Sequence, residues 1–320
     1  MKPVIYITRK LPEEAIEPLL EKYTVRMWES ASESVPRDVL LKEVVDADAL
    51  WSVLADRIDE EVFEAATKLK VVSNLAVGFN NIDIDVAKEK GIIVTNTPDV
   101  LTETTADLAF ALILATARRI TEAENELRKG NWKSWSVMDF TGMDVGGSTL
   151  GIIGMGRIGE AAARRAKGFN MRVLYQNRTR KVEAEEEHGF EYAELDTLLK
   201  ESDIILIFAP LTPETENMIG ENELAKMKKT AILVNVARGG IVNEEALYHA
   251  LKNGTIWAAG LDVFEVEPVP MDNPLLTLPN VTVLPHIGSA SIRTRHAMMK
   301  MNLQAIIDVL EGKEPENRVV

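Results

Sequence analysis

The chain has 320 residues, 46% hydrophobic and 27% charged, with a formal net charge of −14 at pH 7. That is enough chain for about two domains with a sizeable core, and the acidic balance argues against a nucleic-acid or anionic-membrane partner. There is no cysteine, which excludes disulfides, thiol catalysis and cysteine-held zinc and fits a reducing, cytoplasmic setting. The opening Met1-Lys-Pro-Val-Ile-Tyr-Ile-Thr reads as a first strand and not as a signal peptide. The longest apolar run, 108–117, is too short to span a bilayer.

In chain order, the first hundred residues alternate strand and helix. Short buried strands are expected at 4–8, 24–28, 49–54, 71–75 and 92–96, and helices at 12–22, 36–45, 59–67 and 83–90, several of them opening on Pro or Asp. Residues 101–129 contain neither Gly nor Pro and predict one long helix. Its first half, from Asp107 to Ala117, is apolar on nearly every face, so it is buried. Two readings fit: a bridge between domains that also forms a homodimer contact, or an ordinary core helix. The second half is charged and solvated. From residue 150 the alternation resumes, with strands at 150–153, 172–176, 204–209, 231–236, 258–263 and 281–285 and a last helix over about 291–310. Repeated alternation predicts an α/β protein whose sheets are parallel and covered on both faces.

The strand at 150–153 runs into Gly154-Met155-Gly156-Arg157-Ile158-Gly159, and a helix opens inside the glycines. This is the dinucleotide-binding pattern. Gly154 permits the tight turn, Gly156 lets a pyrophosphate approach the backbone, and Gly159 lets helix and strand pack closely. The helix start then offers free N–H groups and a positive dipole end.

Further motifs follow at ordered spacings: Pro210-Leu-Thr-Pro-Glu-Thr215, Val234-Asn-Val-Ala-Arg-Gly-Gly240, Gly260-Leu-Asp-Val-Phe-Glu-Val-Glu-Pro268 and Pro285-His-Ile-Gly-Ser-Ala290. With Asn74-Leu-Ala-Val-Gly-Phe-Asn-Asn-Ile-Asp83, they give a chain that resembles the D-isomer-specific 2-hydroxyacid dehydrogenases over essentially its whole length. Within that family it most resembles the glyoxylate/hydroxypyruvate reductases. The resemblance implies two Rossmann-like, doubly wound parallel-sheet domains with an active-site cleft between them. The substrate domain would be discontinuous, residues 1–99 plus 287–320, around a dinucleotide-binding domain at 100–286.

Reducing a 2-oxo acid requires a held carboxylate, a polarised carbonyl and a proton for the developing alkoxide. Arg238, directly after an apolar strand, suits the first two, because its fork donates to two oxygens in fixed geometry. A loop arginine in a salt bridge is the plainer alternative. His286 ends a strand just past Pro285 and suits the proton transfer. The other histidines, His188, His249 and His296, lie in helical stretches, and the first two, in polar surroundings, read as solvated. The resemblance pairs Glu267 with His286; spacing alone does not separate Glu267 from Glu265. It also matches Val77 and Gly78 to a loop whose amides hold the substrate carboxylate, and Ser289 to a polar residue near the substrate. Trp135 matches an aromatic that reaches a neighbouring subunit's site. Cofactor contacts fall on the glycine turn and on Ala209, Pro210, Thr215, Val236, Ala237, Arg238, Asp262, His286 and Gly288. Asp262 lies near the nicotinamide or the His–Glu pair, or merely caps a turn. No metal site is implied.

An NAD-type site places an acid about 20 residues beyond the glycines. Here the sequence is Tyr175-Gln-Asn-Arg-Thr-Arg180, with no acid. Asn177, Arg178 and Thr179 would instead receive a 2′-phosphate, Arg178 chiefly, with Arg180 or Lys181 in support. NADP(H) is therefore expected to be preferred and NAD(H) accepted. The expected function is reduction of small 2-oxo acids by a homodimer. The alternatives are another D-2-hydroxyacid dehydrogenase, acting on phosphoglycerate or a different acid, and a non-catalytic cofactor-sensing module that binds protein.

Overall fold

The computed structural model describes residues 2–320. In chain order the elements are β1 (Val4–Ile7), α1 (Glu13–Leu20), β2 (Thr24–Met27), α2 (Arg37–Val44), β3 (Ala49–Val53), α3 (Glu60–Ala65), β4 (Val71–Leu75), α4 (Ile84–Glu89) and β5 (Ile93–Thr95). Then come α5 (Thr102–Ala117), α6 (Ile120–Arg128), β6 (Thr149–Ile153), α7 (Arg157–Gly168), β7 (Arg172–Gln176), α8 (Val182–His188), β8 (Glu191–Tyr192), α9 (Leu195–Glu201) and β9 (Ile204–Ile207). The chain closes with α10 (Glu221–Lys226), β10 (Ile232–Asn235), α11 (Glu244–Lys252), β11 (Ala258–Leu261), β12 (Val281–Val283) and α12 (Ile292–Leu310). It divides into two compact units, one running to Leu101 and resuming over Ala290–Val320, the other Thr102–Ser289.

The first unit holds a five-stranded parallel sheet in the order β2-β1-β3-β4-β5. This is a flavodoxin-like winding with its switch point between β1 and β3. Ile5, Leu50, Trp51, Val71 and Val72 are wholly buried, as expected of strands covered on both faces. Helix α12 lies across β3, β4 and β5. The Ser291 hydroxyl caps it by accepting from Thr294 N at 3.2 Å. Midway along, the fully buried Asn302 donates to Ser73 Oγ on β4 at 2.8 Å, and Ser73 also accepts from Thr95 Oγ1 on β5 at 2.8 Å. The last residues extend the unit further: Val319 N donates to Val94 O at 2.7 Å and Val94 N to Val320 O at 3.2 Å.

The second unit holds seven parallel strands in the order β12-β11-β10-β9-β6-β7-β8, a Rossmann winding whose direction reverses between β6 and β9. Helix α5 packs on α7, β10, β11 and β12 of this same unit, burying Ala106, Ala109, Phe110, Leu112 and Ile113. Gly260 makes room for it, since a Cβ there would stand 2.7 Å from Thr116 Oγ1 and 2.8 Å from Leu112 Cγ. The apolar character of Asp107 to Ala117 is thus explained by packing inside one unit, the core-helix reading.

One expectation is corrected. Residues 101–129 form two helices, because Arg119 takes a left-handed backbone, φ 53°, between α5 and α6. The carbonyl of Ala117 then accepts from Met143 N at 2.8 Å, and Arg119 is held by a two-pronged ion pair to Glu122 at 2.7 and 2.8 Å. A left-handed arginine carries no sequence signature of the kind a glycine would. The other expected strands appear within a residue or two. Where they are shorter, at 208–209, 262–263 and 284–285, the chain runs on past the last ladder bond as loop, buried at Ala209, Asp262 and Val263 and exposed at Pro285.

Replacing Asn302 by Ala should lower stability by about 1–3 kcal/mol, read as a lower midpoint in denaturant. An unchanged midpoint would show that α12 is not keyed to the sheet at this point.

Candidate active site

The residues singled out in the second unit, Trp135 excepted, gather at the C-terminal edge of its sheet, where α/β folds bind ligands. The turn after β6 has the left-handed Gly154 at φ 99°, and a Cβ there would come within 2.5 Å of Ala209 N. A Cβ on Gly159 would come within 2.3 Å of Gly154 O, whereas one on Gly156 would meet nothing within 4 Å. The space over Gly156 is therefore open, and α7 starts there without a side-chain cap, its first-turn amides lacking helical acceptors. A dinucleotide pyrophosphate fits this arrangement. Met155 points the other way, into the core of the unit, so only its backbone faces the turn.

Arg238 follows β10. The buried Asn235 shapes its turn, accepting from Ala237 N at 3.0 Å and donating to Arg238 O at 2.8 Å. The guanidinium donates to Ala237 O at 2.7 Å. Burial pulls it below its ordinary value, opposed by the negative charge of Glu267.

His286 follows β12 and has a left-handed backbone, φ 53°, a costly conformation for a residue with a Cβ. Asp262, 1% exposed, holds it there. Its carbonyl accepts from His286 N at 2.9 Å, its Oδ1 from Ile287 N at 2.8 Å and its Oδ2 from Gly288 N at 2.8 Å. Burial pushes the Asp262 carboxyl up despite these amides and the nearby His286. Asp262 thus caps the 286–288 turn and also lies beside the His286–Glu267 pair, as both readings of it expected. Through it Ile287 and Gly288 are tied to the second unit, which runs to Ser289.

The His286 ring meets Glu267, Nδ1 to Oε2, at 2.6 Å, while Glu267 Oε1 accepts from Phe264 N at 3.0 Å. Both side chains are about a quarter exposed, 23% and 27%, and so reachable. Burial alone would raise the Glu267 carboxyl, but the hydrogen bond and charge of His286, the Phe264 amide and the Arg238 charge together hold it below its ordinary value. An ionised carboxylate only accepts, so Nδ1 carries the hydrogen and Nε2 faces outward from the pair. The choice between Glu265 and Glu267, open from spacing, is decided here for Glu267.

On the loop after β7, Arg178 and Thr179 are exposed, and Asn177 Nδ2 donates to Thr179 O at 2.8 Å. Arg180 is otherwise engaged. It binds Glu185 at 2.6 and 2.7 Å, and Glu185 also accepts from Tyr175 Oη at 2.6 Å. These contacts hold Glu185 down to about 2. Arg180, expected with Lys181 as an alternative support for Arg178, is thus paired within its own loop. Glu214, in the loop after β9, is held low by the Thr212 hydroxyl and, more weakly, by the charge of Arg178. Thr215 pins that loop, donating to Pro210 O at 2.6 Å. Val236 is buried, and Ala237 and Ser289 are half-buried.

Trp135 lies 76% exposed between α6 and β6. In the first unit, Val77 and Gly78 follow β4; Asn96 Nδ2 donates to Val77 O at 2.8 Å and Asn74 Nδ2 to Gly78 O at 3.0 Å. Because a trans peptide points its C=O and N–H oppositely, the Gly78 amide is turned away from Asn96. His249 and His296 are exposed on their helices, but His188 packs on Phe190 with ring centroids 5.2 Å apart, contrary to the solvated reading.

Residues 110–288 match the NAD binding domain of the D-isomer specific 2-hydroxyacid dehydrogenases. The chain belongs to that family. It is an oxidoreductase, and the branch expected from its motifs is the one its relatives share. It is 52% identical over 321 residues to a glyoxylate reductase of Korarchaeum cryptofilum, covering all of this chain and 96% of that protein. A solved structure from Thermus thermophilus superposes with a TM-score of 0.93 at 44% identity, covering 99% of this chain and 100% of that one. An NADPH-dependent glyoxylate/hydroxypyruvate reductase from Sinorhizobium meliloti, solved with NADP and malonate, gives a TM-score of 0.87 at 35% identity, covering 100% and 97%.

The lowered Glu267 carboxyl sets an acid-side prediction. A group depressed by folding contributes stability that is present above its ordinary value, 4.5, and lost as pH falls through its folded value. Between about pH 6 and about pH 3, Glu267→Gln should therefore lose less melting temperature than the unaltered enzyme. Equal losses would mean that the pair adds no acid-labile stability.

Proposed function

We propose that this enzyme reduces glyoxylate and hydroxypyruvate to their 2-hydroxy acids, preferring NADPH and accepting NADH. The observation that carries this reading is the Glu267–His286 pair, held at 2.6 Å within the field of Arg238, on the edge of a dinucleotide-binding sheet. The glyoxylate reductases at about half identity over the full chain support the substrate class.

When bound, the reduced nicotinamide supplies the hydride to the carbonyl carbon. Arg238 holds the substrate carboxylate and polarises the carbonyl, a charge-assisted contact strengthened by burial. His286 gives its Nε2 proton to the oxygen as it becomes an alkoxide, so hydride and proton together complete the alcohol. Glu267 accepts from Nδ1 and keeps the ring oriented throughout. Val77 and Gly78 contribute backbone amides to the carboxylate, and Ser289 a polar contact. The glycine turn and α7 hold the pyrophosphate, with Ala209, Pro210, Thr215, Val236, Ala237 and Gly288 lining the cofactor. The 2′-phosphate falls to Arg178 with Thr179, and to Lys181 in support while Arg180 is paired with Glu185. The protein acts as a homodimer through the segment after α6, where four large apolar side chains, Trp132, Trp135, Val137 and Met138, are 58–76% exposed within seven residues.

The deciding assay follows loss of reduced-nicotinamide absorbance with glyoxylate, hydroxypyruvate, phosphohydroxypyruvate and pyruvate, each with NADPH and NADH. Turnover of the first two, faster with NADPH, is expected; turnover only of another acid, or of none, overturns the reading. Arg178→Ala should raise the KM for NADPH at least tenfold, with little effect on NADH, losing a charge-assisted contact of about 1.5–3 kcal/mol; equal changes would sink the Arg178 assignment. Light scattering should give twice the chain mass, and a monomer at working concentration would rule out the dimer.

A further inference from the structure

We propose that Glu244 is a positioning residue, forming with Glu265 a reciprocal cap that fixes the segment bearing Arg238 against the segment bearing Glu267. The proposal rests on the function above, in which those two side chains serve one substrate.

The two segments meet backbone to backbone. A Cβ on Gly239 would stand 1.9 Å from the Phe264 carbonyl carbon and 2.2 Å from Glu265 N, so nothing larger than glycine permits the approach. Phe264 is also the residue whose amide anchors Glu267 Oε1 at 3.0 Å. Any shift between the segments is therefore passed to the carboxylate that faces His286.

Two crossed hydrogen bonds oppose such a shift. The Glu244 amide is at the first position of α11, where it has no helical acceptor, and it donates to Glu265 Oε1 at 3.0 Å. In return the Glu265 amide donates to Glu244 Oε1 at 2.6 Å. The second oxygen of Glu244 accepts from Asn273 Nδ2 at 2.7 Å, and Asn273 in turn caps the turn Pro274–Thr277 by accepting from Leu275 N at 3.0 Å. Both ends of the loop that carries Glu267 are thus tied to one carboxylate on the helix that follows Arg238.

The two acids differ in their demands. Glu244 accepts at both oxygens, which an amide cannot do, whereas the cap needs only one oxygen of Glu265. Glu265→Gln should preserve the cap, and Glu265→Ala, Glu244→Ala and, more mildly, Glu244→Gln should release it.

The test uses full-length protein with isotope-labelled histidine rings, read by NMR, beside glyoxylate turnover with NADPH. In Glu244→Ala the His286 resonances are expected to move while those of the remote His188 and His296 stay. The kcat/KM for glyoxylate is expected to fall about tenfold with reduced-cofactor affinity within about twofold. Glu265→Gln should match the unaltered protein and Glu265→Ala should match Glu244→Ala. His286 resonances unmoved in Glu244→Ala, or moved equally in the two Glu265 variants, would overturn the proposal. If Glu244→Ala does not fold, Glu244→Gln carries the same comparison. Absence of turnover in the unaltered protein would defeat the substrate reading alone, because the ring resonances still judge the cap.

Discussion

The second unit's chemistry depends on one buried carboxylate. Asp262 gathers the three consecutive amides of residues 286–288, one on its carbonyl and two on its side chain. A left-handed histidine costs on the order of 1–3 kcal/mol and persists only where its surroundings over-determine it. Three hydrogen bonds from one aspartate are that over-determination. They aim the His286 ring at Glu267, and the Glu267 carboxylate is anchored in turn to the Phe264 amide. The His286 ring is held by backbone geometry as much as by side-chain packing.

Charge is handled by the same economy of position. An acidic chain that binds anionic ligands has to present cations locally, and its arginines differ in how they are paired and buried. Arg180 is locked to Glu185 and stacks near Tyr192, its guanidinium 5.9 Å from the ring centroid, which stiffens the loop. Arg178, two residues earlier, is left exposed at the tip. Arg238 is instead partly buried, which pulls its guanidinium below its ordinary value.

Much of this was legible in the sequence, and for identifiable reasons. Parallel strands buried on both faces announce themselves as apolar runs, and the glycine turn has a spacing imposed by sterics, so the sheets and the cofactor edge were found. The Arg, Glu and His of the site came through motif resemblance, with position at strand ends as independent support. What stayed hidden were backbone states, pairings and short elements that leave no pattern in the sequence. Nothing local marks Arg119 as left-handed, nothing in the 177–181 segment says that Arg180 will be taken by Glu185, and the two-residue β8 is too short to show a period. The partnership of Glu244 and Glu265, 21 residues apart, is likewise visible only once β10 and β11 lie side by side.

The Asn302 contact and the pairing of Val319 and Val320 with β5 have a consequence for how the chain is made. The sheet of the first unit is encoded before residue 102, yet the helix that covers its central strands is encoded after residue 289. On the ribosome, the second unit is contiguous and can close as soon as its last strand emerges, while the earlier-born sheet waits with one face bare. Order of synthesis and order of completion are therefore reversed in this molecule. The first-made half is the last to be shielded from its neighbours in the cell.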